Sequence, residues 1–137
     1  MQPLLLDTCV ILDILDSDSH WHTWSKETLR ELRKKHIPTI NPIIFSELCA
    51  GMESPQAVLK LLNRLGIDES SLNHEALFLA AKAYIQYRKQ GGKKTGVLPD
   101  FYIGAQAAVQ KWPLVSRDKG RYTSYFPTVQ VIMPDAH

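Results

Sequence analysis

Every run in this chain that has the pattern of a β-strand is separated from the next by a segment with the pattern of a helix. That alternation is the tightest constraint on the fold. The strand candidates are PLLL (3–6), IPTIN (37–41), a weaker GID (66–68), PLVS (113–116) and TVQVIM (128–133). No hairpin turn joins any two of them. Strands connected through helices pair in parallel, and a parallel sheet needs helices over both faces. The expected fold is an α/β three-layer sandwich, with a parallel sheet of about five strands flanked by helices.

The helices announce themselves locally. TCVILDIL follows Asp7, and between His20 and His36 the residues Trp21, Ser25, Leu29 and Leu32 recur at helical spacing. Asn41 before Pro42 and Ser54 before Pro55 each set a capping side chain ahead of a proline at the first helical position, and Gly66 supplies a stop. LNHEALFLAAKAYIQYRKQGG reads as one long helix, LPDFYIGAQAA as a helix opened by Asp100, and TSYF as a short one before the last strand. With 137 residues, no repeat and no linker, the chain is expected to form a single domain over 1–137. No apolar run approaches the ~18 residues of a membrane span. The opening MQPLLLD lacks a basic segment and is broken by Asp7, which argues against a signal peptide. Cys9 and Cys49 are too few and too far apart for a disulfide or zinc framework, so a cytoplasmic setting without a membrane is expected.

Four acids carry the chemistry. In an open parallel sheet, sites form beyond the carboxyl ends of the strands. Asp7 ends the first strand there, and Asp118 follows the strand Leu114–Ser116. The helix that leads into that strand should run antiparallel to it, which brings its start, and Asp100, to the same edge. Glu47 lies in NPIIFSELCAG with Ile43, Ile44, Leu48 and Gly51 on its own side of a helix. A carboxylate in an apolar stripe is costly unless something neutralises it. Each acid alone has an ordinary explanation as a cap or turn residue. Together on one rim they would repel, by roughly 3 kcal/mol for a pair about 5 Å apart at an effective dielectric near 20. Hard divalent cations relieve that repulsion, so one or two Mg²⁺ or Mn²⁺ ions are expected. Such ions activate water for in-line displacement at phosphorus. No Ser, His or Cys nucleophile arrangement competes: HWH (20–22) reads as surface, and both cysteines as small buried hydrophobes.

The formal net charge of +2 is too small to mark a nucleic-acid binder, but its distribution is informative. RELRKKH (30–36) and RKQGGKK (88–94) are basic, and the second stands just before Asp100. Lys93 and Lys94, with Arg117, Lys119 and Arg121 around Asp118, are candidate contacts to a phosphate backbone.

In LLLDTCVIL, FSELCAG, LPDFYIGAQA and PLVSRDKGRY the chain resembles the PIN-domain family, and more narrowly the VapC-type toxins of toxin–antitoxin pairs. The likeness spans nearly the whole chain. It implies a magnesium- or manganese-dependent endoribonuclease, a homodimer, an RNA substrate, and an antitoxin that occludes the pocket. The family's acids fall on Asp7, Glu47, Asp100 and Asp118, its hydroxyl residue before the last acid on Ser116, and its small polar residue after the first acid on Thr8. Cys9 departs from the Ser or Asn common at its place. In this reading Asp7, Asp100 and Asp118 are direct metal ligands, with Glu47 on a second ion or on water held by one. The alternatives are a PIN-type nuclease in RNA processing or on DNA without an antitoxin, a phosphoaspartyl domain, and a non-catalytic module presenting Trp21, Trp24, Leu29 and Leu32. The phosphoaspartyl reading lacks a paired acid beside Asp7.

Overall fold

The computed structural model describes residues 1–94, 96–118 and 120–135, without the side chain of Arg121. Three consecutive leucines set the architecture. Leu4, Leu5 and Leu6 in β1 (Gln2–Leu6) are all fully buried, although successive side chains on a strand point to opposite faces. Both faces of this strand are therefore covered, as a parallel sheet requires. The sheet has five strands in the order β3-β2-β1-β4-β5, with every pairing parallel. The other strands are β2 (His36–Ile40), β3 (Asp68–Glu69), β4 (Leu114–Val115) and β5 (Val131–Ile132).

The helices connect them as expected. α1 (Thr8–Leu15) and α2 (His22–Leu32) lie between β1 and β2, and α3 (Pro42–Cys49) and α4 (Pro55–Leu65) between β2 and β3. α5 (His74–Lys89) and α6 (Leu98–Gln110) precede β4, and α7 (Gly120–Thr123) precedes β5. Asn41 Oδ1 accepts from Ile44 N at 2.9 Å, Ser54 Oγ from Ala57 N at 3.1 Å, and Asn73 Oδ1 from Ala76 N at 2.8 Å. Gly66 stops α4 with a left-handed φ of +69°, which glycine adopts without a Cβ penalty. The main core joins the β1 leucines to Val10 and Ile11 of α1, Ile44 and Leu48 of α3, and Ile103 and Ala107 of α6. A second, aromatic cluster packs Ala80 and Ala83 of α5 against Phe101, Ala105 and Phe126.

Three sequence expectations need correcting. The helix expected from His20 to His36 is confined to His22–Leu32, because His36 already pairs with Gln2 in the sheet. The short helix is Gly120–Thr123 rather than TSYF. Tyr122 and Phe126 are both buried, and Phe126 N bonds Tyr122 O at 2.9 Å, so the helical turn forms earlier to turn both rings inward. Asp100 does not cap its helix. It stands third in α6 behind Pro99, while Val97 holds the cap position without a side-chain bond; a proline is tolerated anywhere in a first turn that needs no N–H donor.

Candidate functional site

β1 and β4 are neighbours in the sheet although most of the chain lies between them, so the strand order reverses direction at this point. The carboxyl ends at such a reversal form a crevice. Asp7 leaves β1 there, and its N–H donates to Val115 O at 2.9 Å. The side chain is 2% exposed. Its Oδ1 accepts from the Thr8 N–H at 2.8 Å, which makes Asp7 the cap of α1. Its Oδ2 accepts from Ser116 Oγ at 2.8 Å and from Tyr122 Oη at 2.9 Å. A buried carboxylate needs such donors, and here they come from three separate elements.

The neighbouring acids attach to this centre through hydroxyl groups. Thr8 Oγ1 donates to Glu47 Oε1 at 2.6 Å, so the half-buried Glu47 is held to the residue after Asp7. Ile44 and Leu48 beside it on α3 are buried, and Thr8 supplies the polar partner the apolar stripe lacks. Ser116 Oγ, besides donating to Asp7, accepts from the Asp118 N–H at 3.1 Å. One hydroxyl thus links the first acid to the backbone of the last. Asp118 and Asp100, both half-buried, border the same hollow of about 400 Å³, together with Tyr87, Lys94, Phe101 and Tyr125.

Among the described residues, no group of three or more His, Cys, Asp or Glu side chains is spaced to hold a metal ion. Thr8 links Glu47, and Ser116 links the Asp118 backbone, to the Asp7 centre, while Asp100 shares with Asp118 the hollow, whose lining does not include Asp7 or Glu47. The donor chemistry nevertheless suits a hard divalent cation, because the groups on this rim are carboxylate and hydroxyl oxygens. The Cys9 thiol, two residues after Asp7, does not compete. Burial, and then the charge of Asp7, push the Cys9 thiol up to about 11, and a protonated thiol is a poor ligand.

The basic candidates separate. Lys93 and Lys94 are exposed, with Lys94 at the hollow. Arg117 turns away from it: Nε meets Oδ2 of Asp13 at 2.9 Å, and the Asp13 side chain is only 4% exposed. Lys119 lies outside the described residues, as does the side chain of Arg121. Two buried polar residues were missed from sequence, one at the Asp7 centre and one that holds Arg117. Tyr122 was one, for a tyrosine after a charged turn carries no signal of burial. Asp13 was the other, and it also takes Ser19 Oγ at 2.8 Å and Ser25 Oγ at 3.3 Å. The signal for Asp13 was available, since it interrupts the apolar TCVILDIL just as Glu47 interrupts its own helix.

The fold and rim define a class: a parallel α/β protein whose strand-order reversal is edged by carboxylates. Within that class, the PIN domain family matches residues 4–124, and the chain belongs to that family. No curated protein sequence matches it. Among solved structures, VapBC2 from Rickettsia felis, bound to a promoter DNA fragment, has a chain with the same fold at a TM-score of 0.75 and 14% identity, covering 98% of this chain and 100% of that one. DNA-bound VapBC from Salmonella typhimurium follows at 0.72 and 14%, covering 97% and 98%. A toxin–antitoxin complex from Klebsiella pneumoniae gives 0.69 and 18%, covering 96% and 98%.

Proposed function

We propose that this protein is a divalent-metal-dependent endoribonuclease, the VapC-type toxin of a toxin–antitoxin pair, acting in the cytoplasm as a homodimer and restrained by an antitoxin. The observation that carries the reading is the Asp7 centre. A buried carboxylate is fixed by three donors at the carboxyl end of β1, and Ser116 ties it directly to Asp118. Membership of the PIN-domain family supports nuclease chemistry, and the likeness in fold to chains of toxin–antitoxin complexes supports the partner.

In this reading the chain's residues position and retain. Asp7, Asp100 and Asp118 are the metal ligands, and Thr8 holds Glu47 where it orients water or a second ion. Mg²⁺ or Mn²⁺, when bound, supplies an activated water and offsets the charge developing on the phosphate. Lys93 and Lys94 hold the RNA backbone against the hollow. The test is cleavage of a structured RNA with Mn²⁺ or Mg²⁺, with and without chelator. Cleavage should require the ion, and Asp100→Asn should lower its rate about a hundredfold or more, the scale on which one electrostatic contributor acts. Equal cleavage by the variant would remove Asp100 from the mechanism.

A further inference from the structure

The hollow at Asp100 and Asp118 has a second wall, and it is aromatic. Phe101, Tyr87 and Tyr125 pack against one another with ring centres 5.5–5.9 Å apart. Phe101 is core, at 6% exposure, but both tyrosines are half-buried and line the hollow. Their hydroxyls are anchored, which fixes the rings. Tyr87 Oη accepts the Lys94 N–H at 3.0 Å, and Tyr125 Oη donates to Gln90 Oε1 at 2.9 Å. Gly92 lies directly over Tyr87, since a Cβ there would come within 2.5 Å of the ring. The ring therefore also pins the loop that carries Lys93 and Lys94.

Fixed rings, a lysine and two acids around about 400 Å³ form a site of small-ligand size. Aromatic faces of this kind bind nucleobases by stacking, and they reach only bases that are not paired inside a duplex. We propose that the hollow is a nucleobase subsite: one unpaired base of an RNA strand stacks on Tyr125, which Tyr87 braces edge-on at an interplanar angle of 84°, while Lys94 meets its phosphate. This rests on the ribonuclease reading and adds to it which side chains meet the base. The ionic rim handles the phosphate and the rings handle the base.

The experiment measures binding in chelator, where metal-dependent cleavage is silent, with a short single-stranded RNA and an abasic strand of equal length. The native protein should prefer the base-bearing strand. Tyr125→Leu should bind it about tenfold more weakly, the size of one lost base–aromatic stack, and Tyr125→Phe should keep the native affinity. Equal affinity of folded Tyr125→Leu and native protein would overturn the subsite. Should Tyr125→Leu not fold, photo-crosslinking of native protein to an iodouridine-bearing strand decides. An adduct on Tyr87 or Tyr125 supports the proposal, and adducts confined to other residues overturn it. Cleavage assayed in parallel separates the two readings. Manganese-dependent cleavage with no dependence of binding on Tyr125 overturns the subsite alone. Binding that needs Tyr125 without any cleavage supports the subsite and overturns the nuclease.

Discussion

Two hydroxyls from different elements meet on one oxygen of Asp7, and their contributions differ in kind. Ser116 serves two partners, Asp7 Oδ2 and the Asp118 N–H, so its removal disturbs both acids at once. Tyr122 is fully buried, which makes Tyr122→Phe the cleaner probe: it deletes the hydroxyl and leaves the ring in place. A hydrogen bond to a charged group is worth about 1.5–3 kcal/mol, and Tyr122→Phe should lose about that much unfolding free energy in urea. An unchanged midpoint would mean that the other donors carry Asp7 alone. Ser116 was legible through the family resemblance, which sets a hydroxyl residue two before the last acid. Tyr122 was not, since nothing in RDKGRY separates an inward tyrosine from a surface one. Arg117 has a partner that the sequence did not reveal. Its charge suggested phosphate, yet the buried Asp13 claims it, because a buried carboxylate is costly without a cationic partner.

At the scale of elements, α6 and the loop before it control the hollow. Gly104, on the buried side of α6, sits where a Cβ would lie 2.4 Å from Phe126 Cδ2 and 2.6 Å from Cε2. In an open helix, Gly→Ala gains up to about 1 kcal/mol. Here Phe126 must move, so Gly104→Ala should instead destabilise by about 1–2 kcal/mol, as overpacking does. A raised unfolding temperature would show that the ring yields freely. The loop makes a separate prediction. Replacing Lys93 and Lys94 with Ala should weaken RNA binding and lower the slope of log affinity against log salt by about 1.4 for a single strand, at about 0.7 per phosphate contact. An unchanged slope would make both lysines plain surface. Element starts were readable where one side chain had one geometry available, as at Asn41 and Ser54. The start of α6 was not, because Pro99 fits the first or second helical position equally well and moves Asp100 from the cap into the first turn.

For the whole molecule, the strand order is what brings distant acids together. The chain begins at the centre of the sheet with β1, builds outward to β2 and β3, then returns to add β4 and β5 on the other side. Alternation of strands and helices made the parallel sheet legible, and the rule of carboxyl ends put Asp7 and Asp118 at the ends of the neighbouring strands β1 and β4. Spacing along the sequence does not encode side-chain rotation, so the links through Thr8 to Glu47 and through Ser116 from Asp7 to the Asp118 backbone were out of its reach. That arrangement makes a thermodynamic prediction. A cation that binds only the folded rim stabilises the whole chain, because unfolding scatters Asp7, Glu47, Asp100 and Asp118 along the sequence. At a concentration a hundredfold above Kd the gain is about 2.7 kcal/mol. For a chain of 137 residues, that raises the unfolding temperature by about 10 °C. Calorimetry should show the rise with Mn²⁺, its reversal by chelator, and a much smaller rise for Asp100→Asn. A native protein whose unfolding temperature ignores Mn²⁺ would mean that the rim holds no ion in the folded state, and the metal-dependent mechanism would fall with it.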